Sequence, residues 1–438
     1  MKSVVTTAIF GAGWAGCAAA VEATRLGHQV TVFEASRTAG GRARRLDVTA
    51  NNQTLRLDNG QHILIGAYSE TLKLMAELGV DGTQTLLRMP LTLQFPDGSG
   101  LRLPPLEAYL PAPLDALVGI VQARGWTVGD KLSLLKTATL WQLRKFQCAP
   151  HQSVADLCRR VSPRIMATLI EPLCVSALNT PADRASGQVF LRVLKDSLFA
   201  LEGGSNLLLP KADLSALLPD AALDWLAAQQ GKVNLGCRVG NIRPLPSKAW
   251  ELTGAGDESL GQFDAVILAC PPSEAARLAR GTALPCAAWL AKADSLRYEA
   301  IATEYAHAPG ARLAQPMLAL ASTSSYPAQF VFDRGQLGGP SGLLAFVVSA
   351  SQQGSADITA QVVAQAAQQL GLHTLQVLQT VVEKRATFAC TPGLLRPTAQ
   401  ICSGLLACGD YVEGPYPATL EGAVRSGLQA ARLLETFK

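Results

Sequence analysis

Val4-Val5-Thr6-Thr7-Ala8-Ile9-Phe10-Gly11-Ala12-Gly13-Trp14-Ala15-Gly16 opens the chain and decides how the rest is read. Val4 to Phe10 is an apolar, β-branched run suited to a buried parallel strand. Three spaced glycines follow at once, Cys17 to Leu26 reads as a helix of small residues, and Gly27 ends it. Gln29 to Phe33 is then a second strand, finishing at Glu34. Together these make a βαβ unit of about 30 residues carrying the dinucleotide-binding fingerprint.

Each position in that unit has a physical task. Gly11 permits the tight turn, Gly13 lets backbone approach a pyrophosphate, and Gly16 lets the helix pack close to the sheet. The Gly11-to-Gly16 turn, Ala15 included, leads into a helix N-terminus whose free N–H groups and positive dipole favour phosphate. Glu34 stands 18 residues after Gly16, where a carboxylate accepts hydrogen bonds from ribose hydroxyls. The same charge disfavours a 2′-phosphate, so FAD or NAD is expected rather than NADP.

Working outward, the whole chain has 438 residues, 48% of them hydrophobic and only 16% charged. That length suits two or three domains with a large core, and the charge fraction lies below the roughly 25% usual for soluble domains. No run reaches the ~18 uninterrupted apolar residues of a membrane span. A net charge of +4 is too small and too dispersed to indicate a nucleic acid partner. The ten cysteines include no C-x-x-C pair and the five histidines have no metal-ligand spacing, so reduced thiols in a cytoplasmic protein and no metal site are expected. Lys2 followed by an apolar run faintly imitates an export signal, but glycines at fixed offsets fit a strand–turn–helix better.

Beyond Glu34, the segment Ala39-Gly40-Gly41-Arg42-Ala43 resembles the second pyrophosphate loop of the FAD-dependent amine oxidase and phytoene desaturase superfamily. The resemblance implies that Gly41 passes close to the cofactor and that Arg42 neutralises phosphate charge. It implies likewise that Gly409-Asp410 closes a strand with the acid under the ribityl chain. Thr419 and Leu420 then open a final helix aimed at the flavin pyrimidine ring, and the backbone of Val239, on a strand read from Val233 to Ile242, brackets adenine. A non-covalent FAD follows, since Cys390 and Cys408 are poorly placed for attachment.

The fold this implies is α/β: a Rossmann-like FAD-binding domain of amine-oxidase type with an α+β substrate domain. The FAD domain is discontinuous, from residues 1–75, 205–275 and 385–438, and blocks 76–204 and 276–384 form the substrate domain.

Leu57-Asp58-Asn59-Gly60-Gln61-His62-Ile63-Leu64, with Ala386 to Pro392 and Tyr416 to Glu421, resembles the squalene-associated branch of this superfamily, the hydroxysqualene dehydroxylases. The likeness covers essentially the whole chain. It implies replacement of an allylic hydroxyl by hydride, giving squalene for hopanoid and squalene biosynthesis after upstream synthases have joined farnesyl diphosphates. Asn59, Gly60, Gln61 and His62 would line the flavin, with His62 the candidate proton donor, Glu413 and Tyr416 secondary candidates, and Asp58 a brace.

A carotenoid desaturase would share fold and lipid tunnel with hydride flow reversed. A flavin amine oxidase is disfavoured by Thr419, which occupies the place of an aromatic-cage tyrosine. A non-catalytic FAD- and prenyl-lipid-binding protein is the remaining alternative. Pro104 to Ala123, and Lys131 to Phe146 with Trp141 near one end, offer apolar faces and cations for contact with the inner face of the cytoplasmic membrane and a long-chain isoprenoid substrate.

Overall fold

Six strands form the sheet that carries the N-terminal fingerprint in the computed structural model, which describes residues 4–50, 53–105, 113–200, 202–351 and 355–437. Their order is Lys232–Leu235, Gln29–Glu34, Thr6–Phe10, Ala265–Leu268, Leu405–Ala407 and Gln400–Cys402. The first five are mutually parallel and the last pairs antiparallel. Ala265–Leu268 is buried throughout, as a central parallel strand covered on both faces must be.

Alternation along the strands sends residues to two different cores. Ile9, Val30, Val32 and Ile267 face the helices Trp14–Arg25 and Leu420–Leu433. Ala8, Phe10, Val266 and Leu268 face the other way, toward an antiparallel sheet of Val239–Pro244, Trp250–Gly254 and Ser259–Phe263. Phe33 joins these layers, meeting Phe10 and Phe263 edge-on at 6.1 and 6.0 Å. Each aliphatic side chain fully buried here stabilises the fold by about 1.5–3 kcal/mol.

The helix after the fingerprint starts at Trp14, with Gly13 as its N-cap, rather than at Cys17. Gly16 therefore lies inside the first turn, where a Cβ would stand 1.9 Å from the Gly11 carbonyl oxygen. Gly427 plays the same part for the final helix, since a Cβ there would reach 2.2 Å from the Ala15 carbonyl oxygen. The strand expected from Val233 to Ile242 is two strands in different sheets. Gly236, at φ +71°, turns the chain between them.

A second, antiparallel sheet runs Met317–Ala319, Phe330–Asp333, Leu343–Ser351, Tyr298–His307 and Gln376–Phe388. Gln376–Phe388 continues through residue 385, so the block edge expected there falls within a strand. Ala302, Ala306, Phe346 and Val348 pack beneath the helix Ser355–Leu370. The opposite face, with Thr303, Tyr305, Phe330 and Val347, looks toward the fingerprint sheet's domain.

Helices Leu114–Gln122, Val128–Leu143, Glu171–Leu178 and Gly187–Lys195 complete this half. Thr127 and Asp130 form a reciprocal capping box at the start of the second of these. Trp141, expected near a bilayer surface, is buried instead and meets Phe190 edge-on at 6.5 Å. Leu134 and Trp141 fix that helix to its own domain, while Val128, Leu132 and Leu143 stay exposed. Residues 106–112 of the expected membrane-facing stretch lie outside the described residues.

Candidate active site

A cavity of about 710 Å³ lies between the fingerprint sheet and the antiparallel sheet. Every residue expected at the cofactor lines it except Gly16, whose close approach to Gly11 is purely a packing role. Gly11 and Gly13 come from the first loop, Glu34 from the second strand, and Gly41 and Arg42 from the loop beyond it. Asn59, Gly60, Gln61 and His62 form a further wall, Val239 a flank, and Gly409, Asp410, Thr419 and Leu420 the far end.

The cradle has the chemistry of a dinucleotide site. The Glu34 carboxylate accepts from the Ala12 amide at 2.8 Å and from the Ser36 amide at 2.7 Å, one on each oxygen. Each oxygen keeps a lone pair for a ribose hydroxyl. Trp14–Arg25 and Leu420–Leu433 both present their N-termini to the cavity. Thr419 caps the second of these, accepting from the Gly422 amide and donating to the Tyr416 carbonyl, both at 2.9 Å.

An ideal Cβ on Gly13 would meet nothing nearer than Gly41 Cα at 3.8 Å, so the missing side chain leaves passage between the two glycine loops. Tyr411, a cavity residue that sequence reasoning did not single out, has a buried hydroxyl with no hydrogen-bond partner among the described residues. Such an orphaned group calls for a ligand atom. On these observations the residues fit FAD.

Arg42 links distant parts of the chain. Its guanidinium donates to Asp410 at 2.5 Å and to the Ala386 carbonyl at 2.6 Å, tying the first cofactor segment to the last. Burial alone would lower its pKa, but the Asp410 carboxylate raises it, so the cation is permanent. Cys390 and Cys408 are buried thiols outside the cavity lining. Burial pushes Cys390 up to about 12, so it is no thiolate near neutrality.

The His62 imidazole donates from Nδ1 to the Gly60 carbonyl at 2.9 Å when that nitrogen carries the proton. Burial lowers its pKa, the Gly60 carbonyl partly opposes this, and the Arg42 cation lowers it further. The ring is therefore neutral near pH 7, with Nε2 left as the atom that takes up or releases a proton.

Asp58 is the brace expected of it. Its carboxylate accepts from the Leu214 amide at 2.8 Å and faces Arg334 at 3.8 Å, while its carbonyl accepts from Tyr305 Oη at 3.0 Å. Burial lifts Asp58 to about 6, against the Leu214 N–H and the Arg334 cation, which both lower it. Arg334 also donates to Gln61 Oε1 at 3.4 Å and to the Pro210 carbonyl at 3.3 Å.

Glu413 and Tyr416, the secondary proton-donor candidates, do not line this cavity. Glu413 borders a separate recess with Arg396, and Tyr416 Oη donates to Asp196 at 2.9 Å. Glu413 and its neighbours Gly414 and Pro415 are exposed. Thr303, Tyr305 and Arg334 were invisible to sequence reading because they belong to no local motif.

A parallel sheet bearing this fingerprint, a discontinuous cradle and a second antiparallel sheet closing the cavity define a flavoprotein oxidoreductase. Residues 14–434 match the family described as flavin containing amine oxidoreductase, and the chain belongs to that family. It is an FAD-dependent oxidoreductase. A hydroxysqualene dehydroxylase of Rhodopseudomonas palustris is 30% identical over 98% of both chains. A hydroxysqualene dehydroxylase of Sinorhizobium fredii is 26% identical over 97% of both. Among solved structures, an oxidoreductase from Methanosarcina mazei superposes with a TM-score of 0.72 at 17% identity, covering 98% of this chain and 99% of that one, a likeness of fold.

Proposed function

We propose that this chain reductively removes the hydroxyl of hydroxysqualene, giving squalene. The observation that carries the reading is the single cavity that passes from the dinucleotide cradle to a wall of Val175, Leu178, Ile301, Phe330, Phe332 and Val347. A long isoprenoid fits such a wall, and an alkylammonium group finds Thr419 where an aromatic cage would need a ring. The similarity over almost the full length of two hydroxysqualene dehydroxylases supports the same reading.

FAD, when bound and reduced, supplies the hydride. The chain's own residues prepare the substrate. Loss of an allylic hydroxyl as water needs a proton, and His62 is the cavity group whose Nε2 exchanges one. The apolar wall keeps water away from the allylic cation that follows. Asp58 and Arg334 brace the 59–62 loop.

A further part of the proposal concerns the membrane. No helix among the described residues is long and apolar enough to cross one. Leu114, Leu117 and Val121 nevertheless stand exposed along one face of their helix, and Val128, Leu132 and Leu143 on the next. Lys136, Arg144 and Lys145 lie in the same stretch. An apolar ridge with flanking cations suits peripheral contact with an anionic bilayer, from which an insoluble isoprenoid enters.

The test is a comparison of substrates. The holoenzyme is photoreduced without oxygen and mixed separately with hydroxysqualene, a carotenoid precursor and an amine. Return of the oxidised-flavin band with hydroxysqualene alone, accompanied by squalene, is the expected result. Oxidation of the carotenoid precursor or the amine by the oxidised enzyme, with hydroxysqualene inert, replaces the proposal.

A further inference from the structure

The cavity wall formed by the antiparallel sheet mixes apolar side chains with a few polar ones, and the Thr303 hydroxyl is among the latter. Thr303 sits on Tyr298–His307, fully buried from bulk solvent, and lines the cavity. Strand alternation fixes where it points. Ala302, Glu304 and Ala306 face the covering helix, Glu304 accepting from Thr359 and Thr380 there. Ile301, Thr303 and Tyr305 face the other way. Tyr305 is pinned by its hydrogen bond to the Asp58 carbonyl, which leaves the strand little freedom to rotate.

Thr303 Oγ1 accepts from the Gln61 amide at 3.4 Å. It is also close to the imidazole. A point one carbon out from Gly60 Cα, where a side chain would begin, lies 3.7 Å from Thr303 Oγ1 and 3.8 Å from His62 Cε1. The hydroxyl and the ring thus flank the same glycine. Across the sheet Thr303 is paired with Val347, and Phe330 and Phe332 share its face, while the polar Ser349 and Glu383 that also line the cavity are paired one step along with Ile301. With its lone pair turned to Gln61, the Thr303 hydroxyl proton is free to point into the cavity.

We propose that Thr303 is the specificity-determining residue for the substrate's hydroxyl. It donates a hydrogen bond to the alcohol oxygen, and so holds that oxygen beside His62. A hydrocarbon of equal length leaves the Thr303 hydroxyl unpaired, and a buried donor without a partner is penalised. The site therefore prefers an alcohol over the alkene it becomes, which also favours product release. This inference rests on the proposed substrate, and it makes a binding claim that does not depend on turnover.

The test uses oxidised holoenzyme and reads binding from perturbation of the flavin spectrum, with hydroxysqualene and squalene as paired ligands. Wild type is expected to bind the alcohol about 10-fold or more tighter than the hydrocarbon, the size of one buried hydrogen bond. Thr303→Val, which keeps the shape, is expected to erase that preference while leaving squalene affinity within about 3-fold, and Thr303→Ser is expected to restore it. Alcohol preference unchanged in Thr303→Val, or absent in wild type, overturns the assignment. Wild type that shows the preference yet never yields squalene contradicts the proposed reaction and leaves the Thr303 anchor standing.

Discussion

Replacing Gly13 by Ala should separate cofactor binding from folding. Gly13 has extended backbone angles, φ −74° and ψ 176°, that any residue adopts. The new methyl meets only Gly41 Cα, at 3.8 Å, an ordinary van der Waals contact. Alanine is a poorer N-cap than glycine by a few tenths of a kcal/mol to about 1 kcal/mol, and it restricts the unfolded chain by a similar amount. These effects oppose each other, so the apoprotein should unfold within about 1 kcal/mol of wild type. The methyl nonetheless occupies the gap through which a pyrophosphate must pass. Forcing one extra carbon into a fitted site costs about 1–3 kcal/mol, or roughly 5- to 150-fold in affinity.

Two measurements check this. FAD titration followed by fluorescence quenching gives the affinity, and thermal unfolding with and without FAD gives the linkage. At FAD 100 times the wild-type Kd, wild type gains about 2.7 kcal/mol, and a variant 30-fold weaker keeps about 0.9 kcal/mol. Gly16→Ala provides the contrast, since its methyl would lie 1.9 Å from a carbonyl oxygen and the apoprotein itself should fail. Gly13→Ala that binds FAD as wild type does, or that unfolds as apoprotein, refutes the reasoning.

Arg334→Met should cost up to about 3 kcal/mol in urea unfolding at pH 8, because it strands the buried Asp58 carboxylate, which can escape by protonating for about 1.4 kcal/mol per pH unit above 6. Asp58 is lifted to about 6 in the folded chain, so its ionisation weakens the fold as pH rises through that value; the cost should shrink in acid, and Asp58→Asn should recover most of it. If His62 delivers the proton, turnover should fall with rising pH and bend below the ordinary imidazole value of 6.5, and His62→Gln should flatten that limb; an identical profile in the variant removes His62 from the step. Leu117, Val121 and Leu132 are exposed, so changing all three to Glu should leave unfolding unchanged while weakening co-sedimentation with anionic liposomes by on the order of 100-fold.

The first βαβ unit was legible because its geometry is local: glycine spacing, strand length and the position of Glu34 are all set within one stretch of chain. The far segments were legible only through resemblance, since nothing in Gly409-Asp410 alone says which strand it ends beside. Thr303 and Arg334 could not be read, because their meaning depends on the register of strands and turns more than 200 residues from the 58–62 loop, as the Gln61–Thr303 and Gln61–Arg334 separations of 242 and 273 residues illustrate. Amphipathic spacing in 131–146 correctly suggested a helix but not which of its faces was covered, and Trp141 went to the core. Gly236 was a usable signal for the break between 235 and 239, and reading that stretch as one strand ignored it.

The central claim is reductive removal of the hydroxyl, and isotope transfer tests it most directly. The holoenzyme is photoreduced in deuterium oxide without oxygen, hydroxysqualene is added, and flavin reoxidation is followed alongside mass analysis of the product. The account predicts one squalene for each flavin reoxidised, carrying a single deuterium. Flavin that stays reduced, or squalene formed without deuterium, contradicts it.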